Sequence, residues 1–190
     1  MLKQVFEFVK NPQYIEDENT DFGYRIGVLF KILLWGLAFG IIISMANSIW
    51  ELTGILETPK HAMETALEEQ GIIVLLLMAV VGAPLLEELF FRGPLWFFRE
   101  SKFFKIAFYA SIILFGLIHI TNFETTPTVL ALTPFLVLPQ LCLGAFAGFI
   151  RVRFGLLWSM ALHALYNGIL FLPIIAMQLL GIPLEWQKQS

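Results

Sequence analysis

Long apolar runs separated by short polar connections fill the chain from residue 32 onward. A helix that crosses hydrocarbon needs about 20 residues at roughly 1.5 Å each. The runs Ile32 to Trp50, Gly71 to Leu86, Ile106 to Ile120, Thr128 to Ile150 and Phe154 to Ile182 approach or exceed that length. The second continues past Leu86 through EELFFR toward Phe98, and the third is short. Pro134 and Pro139 are expected to bend or interrupt the fourth, since proline removes a backbone donor. The last run is too long for one untilted span, and Pro173 offers a place to break it. The pattern therefore predicts an all-α fold, a polytopic transmembrane helical bundle of five or six spans. Ahead of it, LKQVFEFVKNP has the amphipathic pattern of a helix lying along the membrane surface.

Composition agrees. Of 190 residues 58% are hydrophobic and only 14% charged, 19 are Phe, and the mean hydropathy is +0.77. A soluble domain carries about 25% charged residues, so too little polar material is present to cover a water-facing surface. The single cysteine, Cys142, excludes an intrachain disulfide and argues against a thiolate metal cluster. A net charge of -3 implies no nucleic-acid partner. The polar, acidic opening (YIEDENTDFG) does not read as a cleavable signal. The chain divides into residues 1–70, an N-terminal segment with the first span and an outer loop; 71–175, a core; and 176–190, the end of the last helix with a tail.

Basic residues orient the spans. Lys3, Lys10 and Arg25 precede the first span, Arg99, Lys102 and Lys105 follow the second, and Arg151 and Arg153 follow the fourth. The alternate connections hold Lys60 among five acids, and Glu124. The positive-inside rule then expects the N-terminus in the cytoplasm.

Ionisable groups inside spans are costly, about 2.5 to 3.5 kcal/mol each at the bilayer centre on insertion scales. Three constellations carry that cost: Glu87, Glu88 and Arg92 in span two; His119, ending FGLIH, in span three; and His163 with Asn167 in HALYN, in span five. Counted inward from Arg99, Lys105 and Arg153, Glu87, His119 and His163 lie at depths of about 18, 21 and 15 Å. They are expected to meet in one chamber. Glu88 and Arg92, four apart, are expected to pair. Glu87 is rotated by about 100° from Glu88 and has no partner in its own helix, which suits a general base. Asn167, one turn after His163, can orient that ring or a ligand beside it, and Phe115, one turn before His119, can wall the site.

Two chemical uses stay open. Glu87 can deprotonate a water that attacks an amide carbonyl while the histidines and Asn167 stabilise the oxyanion. Alternatively Glu87, His119 and His163 can hold a divalent metal such as Zn2+ that activates the water. Cys142, Ser111 and Ser159 each lack the neighbours of an activated nucleophile. A small proton-coupled transporter would bury similar groups, though no internal repeat is present. A non-catalytic immunity or scaffold protein that binds a peptide or partner is the other alternative. Gly144 and Gly148 form a small-xxx-small pattern for close helix packing, and His61 reads as a surface residue of the outer loop.

EELFFR matches EExxxR, FGLIH matches FxxxH and HALYN matches HxxxN. In that order, each on a span, they resemble the CPBP intramembrane proteases, which include the type II CAAX prenyl endopeptidases and bacterial Abi-domain proteins. The resemblance covers roughly Gly71 to Pro173. It implies Glu87 as the water-activating glutamate, Glu88 and Arg92 as the rest of the first motif, His119 and His163 as essential histidines, and Asn167 on the oxyanion side. Members have been called both metallo- and glutamate-type proteases, so the resemblance leaves the metal open. The length resembles the smaller bacterial forms, which implies a multi-pass cell-membrane protein. A prenylated substrate does not carry over.

The expectation is thus an intramembrane endopeptidase acting on hydrophobic or membrane-tethered peptides, its site opening toward the cytoplasmic half of the bilayer. Arg92 is expected to hold Glu88 and span two in place, and Pro94 to open the helix toward substrate.

Overall fold

The computed structural model describes residues 1–54 and 71–181, and the elements among them are all helical. Five stretches are long and apolar enough to cross a membrane: Phe22–Trp50, Ile72–Phe98, Phe104–Asn122, Pro127–Phe154 and Leu156–Leu179. The lower of the two expected span numbers is therefore the one observed among the described residues. Glu57, Lys60, His61, Glu64, Glu68, Glu69 and the C-terminal PLEWQKQS lie outside them.

Helix α1 (Leu2–Lys10) does not lie free on a membrane surface. Its apolar face is turned onto the bundle, with Val5 buried and the Phe8 ring edge-on to Phe108 at 5.0 Å and Phe149 at 5.4 Å. The segment that follows is strapped down by polar contacts. Arg151 Nη1 donates to the Tyr14 hydroxyl at 3.0 Å, Asp17 N–H donates to the Arg153 carbonyl at 3.0 Å, and the Asp17 carboxylate pairs with Arg153. Burial pushes the Asp17 carboxyl up, but donors from Asn19 N–H, the Tyr24 hydroxyl and Arg153 outweigh it and hold the group below its ordinary value.

Helix α2 (Phe22–Leu52) starts ten residues before the predicted apolar run. Asp21 Oδ1 accepts the Tyr24 N–H at 2.7 Å and so meets one of the unsatisfied donors at the helix start. At about 1.5 Å per residue the helix is longer than the ~30 Å hydrocarbon layer, and its two charged residues before the apolar run, Arg25 and Lys31, lie in its first third.

The second stretch is composite: α3 (Ile72–Leu76), a π-helical turn (Leu77–Gly82), α4 (Ala83–Phe91), then a 3-10 segment (Gly93–Phe98) that begins where Gly93 and Pro94 stop the α-helix. Helix α5 (Phe104–Ile118) ends in a 3-10 turn, His119–Asn122. The fourth stretch breaks at Val137 into α6 (Pro127–Leu136) and α7 (Leu138–Phe154), where Pro134 and Pro139 foretold an interruption. Pro139 has no N–H for the Phe135 carbonyl, and Asn47 Nδ2 donates to that oxygen from α2 at 2.9 Å. Gly155, at φ +99°, turns the chain into α8 (Leu156–Leu179). Pro173 does not break α8. It sits exposed on a continuous helix that also runs through residues 175 and 176.

Helix α7 is the centre of the bundle, packed by α2, α5 and α8. Close approach depends on small residues, as it does where lipid removes the hydrophobic drive between helices. A Cβ on Gly148 would lie 2.7 Å from Phe108, and one on Gly144 would lie 3.0 Å from Arg92 Nη2 and 3.3 Å from Phe115. A Cβ on Gly40 of α2 would run into the Tyr166 hydroxyl of α8.

Candidate active site

Glu87 and Glu88 are neighbours on α4 with different surroundings. Glu88 is fully buried, and its Oε1 lies 3.1 Å from Arg92 Nη1, one turn on, and 3.1 Å from His163 Nδ1. The Arg92 contact is an ion pair whose angle falls short of a hydrogen bond. The same guanidinium lies over the Phe115 ring at 3.9 Å, which supplies a cation–π contact in a desolvated setting. Phe115 also touches His119 and His163, at centroid distances of 4.8 and 5.5 Å. It walls the site, as its place one turn before His119 suggested.

Glu87 turns the other way. Its side chain is 27% exposed, and its Oε2 lies 3.8 Å from His119 Nε2 and 3.8 Å from His163 Nε2, with no hydrogen bond of its own. The opposite nitrogen of each ring is occupied. His119 Nδ1 contacts the Phe115 carbonyl at 2.7 Å, and because a carbonyl only accepts, that nitrogen carries the hydrogen. His163 Nδ1 donates to Glu88 Oε1. In a neutral ring this tautomer leaves the Nε2 lone pair facing Glu87. Three acceptors thus surround one small gap.

The three motifs therefore meet, as depth and spacing predicted. Two details of the reading change. Glu88 holds His163 as well as Arg92, a cross-helix contact that spacing within one helix cannot reveal. Asn167 is not on His163: its Nδ2 donates to the Ala79 carbonyl at 2.8 Å, inside the π turn that leads into α4. A widened turn offers carbonyls to side chains, so Asn167 ties α8 to the base of the helix that carries Glu87. One amide hydrogen remains, and Asn167 borders the same cavity as Glu87.

That cavity is a chamber of about 830 Å³ lined from every span. It runs from Glu87, His119 and His163 along Ala83, Ala79 and Leu75 on one side and Ser48, Asn47 and Ser44 on the other, to Thr121, Asn122 and Phe123. The lining starts at mid-helix positions, Glu87 on the second stretch and His163 and Asn167 in the first half of α8, and extends to the late part of α2, the start of the second stretch, the turn after α5 and Ile174 on α8. That far end is opposite the helix ends that carry Arg99, Lys102, Lys105, Arg151 and Arg153. The chamber thus extends toward the end of the bundle away from the basic anchors. Pro94 is likewise absent from the lining and sits beyond the far end of α4. Sequence reading passed over Ser44, Asn47 and Ser48, although their i, i+3, i+4 spacing within IIISMANSIW marks one polar helix face. It also passed over Gln140 and Tyr166.

The donor types around Glu87 are those a zinc site uses, but among the described residues no three such side chains are placed to hold an ion. Ser111 Oγ donates to the Phe91 carbonyl at 2.9 Å and Ser159 Oγ to the Leu156 carbonyl at 2.9 Å, so both hydroxyls serve the backbone.

The bundle and its chamber define a multi-pass helical membrane protein with a carboxylate and two imidazoles converging inside it. Residues 69–169, just over half of the chain, match the family model described as type II CAAX prenyl endopeptidase Rce1-like, and the chain belongs to that family of CAAX-type intramembrane proteases. The search of curated proteins and the search of solved structures each gave no match.

Proposed function

We propose that the protein is an intramembrane endopeptidase that hydrolyses peptide bonds of hydrophobic or membrane-tethered polypeptides with a water activated by Glu87. The observation that carries this reading is the convergence of three acceptors, Glu87 Oε2 and the two Nε2 atoms, on one gap. A water offers two hydrogens to such a gap. One goes to Glu87 and one to an imidazole, and the third acceptor is met when the other imidazole carries a proton on Nε2.

As the water oxygen bonds to the scissile carbonyl carbon, its proton passes to the Glu87 carboxylate. The carbonyl oxygen becomes an oxyanion, which the protonated Nε2 and the second amide hydrogen of Asn167 can meet. Collapse of the tetrahedral adduct breaks the C–N bond, and Glu87 returns the proton to the leaving amine. Glu88, fixed by Arg92, keeps the His163 ring in the required tautomer. The basic residues favour a cytoplasmic N-terminus, and a cell membrane is the proposed location.

The test is cleavage of a panel of membrane-tethered peptides by the purified protein beside Glu87→Gln, with and without chelator. General-base removal costs about 10²- to 10⁴-fold in rate, and a loss of that size is expected. Chelator sensitivity reversed by zinc would move water activation to a metal. Equal cleavage by both proteins would end the catalytic role of Glu87.

A further inference from the structure

The outer half of the chamber has a chemistry of its own. Ser48 Oγ donates to the Ser44 carbonyl at 3.1 Å and Thr121 Oγ1 to the Ile118 carbonyl at 2.7 Å, so both hydroxyl hydrogens are engaged by their own helices. Their lone pairs are left over. Gln140, near the start of α7, borders the same space, and its buried Oε1 has no hydrogen-bond partner among the described residues. A buried carboxamide oxygen without a donor costs about 1–3 kcal/mol, so an unmet acceptor beside a cavity marks a place for an incoming N–H group. Among the described residues of the lining, Glu87, the two histidines and Tyr166 are the only ionisable side chains. The described lining thus offers neutral hydrogen-bonding groups, unmet acceptors among them, which suits the backbone of an extended polypeptide strand.

The structure assigns Gln140, with Ser48 and Thr121, as a backbone-binding subsite for an extended peptide segment that enters from the side of the bilayer opposite the basic anchors. This deepens the endopeptidase reading and rests on it. The substrate class that follows is an exported or membrane-anchored polypeptide whose cleavable stretch lies outside the cytoplasm. Gln140 is a specificity-determining residue, since its carboxamide accepts a substrate N–H and can donate to the neighbouring substrate carbonyl.

The experiment reads binding without turnover. Ser48→Cys is made in a Glu87→Gln, Cys142→Ser background, and the introduced thiol is labelled with a membrane-impermeant maleimide in right-side-out and in inverted vesicles. The probes are an unmodified peptide of alternating leucine and serine and the same peptide with its backbone amides N-methylated. Labelling is expected from the external face, slowed by the unmodified peptide and unaffected by the methylated one. Gln140→Leu is expected to raise the peptide concentration needed for protection about three- to tenfold, the worth of one such hydrogen bond. Its melting temperature should be unchanged or higher, because an unpaired buried oxygen is removed.

Labelling only from the cytoplasmic face, equal protection by both peptides, or protection indifferent to Gln140→Leu would each overturn the assignment. The comparison of the two peptides holds even if Gln140→Leu does not fold. Because Glu87→Gln is inert by design here, a failure of the protease reading appears in the cleavage assay and not in this one.

Discussion

Replacing Glu88 by Leu strands a buried guanidinium. Arg92 and Glu88 are both fully buried and 3.1 Å apart, and without the carboxylate Arg92 keeps the Phe115 face while losing this charge partner. Breaking such a pair from one side costs about 3–5 kcal/mol, while replacing both members by apolar residues of similar volume is often neutral or favourable. Glu88→Leu and Arg92→Met should therefore each lower stability by about 3–5 kcal/mol, and the double variant should lie within about 1–2 kcal/mol of the parent, allowing for the His163 Nδ1 it leaves unpaired. The non-additivity is the signature of the pair. The assay is reversible unfolding in mixed detergent micelles, followed by tryptophan fluorescence and helical circular dichroism. The double variant separates fold from chemistry: it should refold yet cleave about 10- to 100-fold more slowly, by analogy with the cost of removing the partner that orients a metal-bound histidine. Additive losses in the double variant would refute the reasoning, and so would full activity.

Two further outcomes test the packing and the strap. Gly40→Ala pushes a methyl group into the Tyr166 hydroxyl, an overpacking expected to cost about 1–3 kcal/mol; adding Tyr166→Phe removes the hydroxyl and should restore most of the lost melting temperature. The Asp17 carboxyl is held below its ordinary value of 3.8, so its charge contributes stability above the unfolded-state value and loses it as pH falls through the lower folded one. The stability difference between the parent and Asp17→Asn in thermal melts should be present near neutral pH and vanish in strong acid; a difference independent of pH would contradict the strap.

What was legible in the sequence was whatever lies along one helix. Apolar length gave the spans, Pro134 and Pro139 located the break at Val137, and the four-residue step from Glu88 to Arg92 gave their pairing. Depth counted from basic anchors brought Glu87, His119 and His163 together because helices in a bilayer share a common frame. What stayed hidden depends on how helices rotate about one another. Nothing in HALYN says that Asn167 reaches the Ala79 carbonyl, because the reach is set by the widened turn between Leu77 and Gly82, which no local residue pattern announces. The amphipathic start read as a membrane-surface helix because its pattern records an apolar partner without saying whether that partner is lipid or protein; Phe108 and Phe149 supply it here. Pro173 read as a break because proline costs a helix about 3 kcal/mol in water. A long membrane helix tolerates it where its neighbours satisfy the freed groups.

The adjacent glutamates tie these strands together. Rotated by the roughly 100° of one residue step, Glu88 faces the packed interior and Glu87 faces the chamber, so one helix delivers a neutralised anchor and an accessible carboxylate within a single turn. The anchor fixes His163 through Nδ1, the carboxylate meets the same ring through Nε2, and the imidazole therefore bridges the buried and the accessible member of the pair. Either glutamate alone would leave half of this unmade: Glu88 without Glu87 gives a rigid core with no carboxylate in the chamber, and Glu87 without Glu88 gives a carboxylate beside a ring free to turn. The π turn and Asn167 then matter because a widened turn changes the rotation of everything after it, and this one lies directly before α4. Asn167→Leu, which cannot donate to Ala79, should accordingly disturb the division of labour between Glu87 and Glu88 as well as any direct contact with substrate.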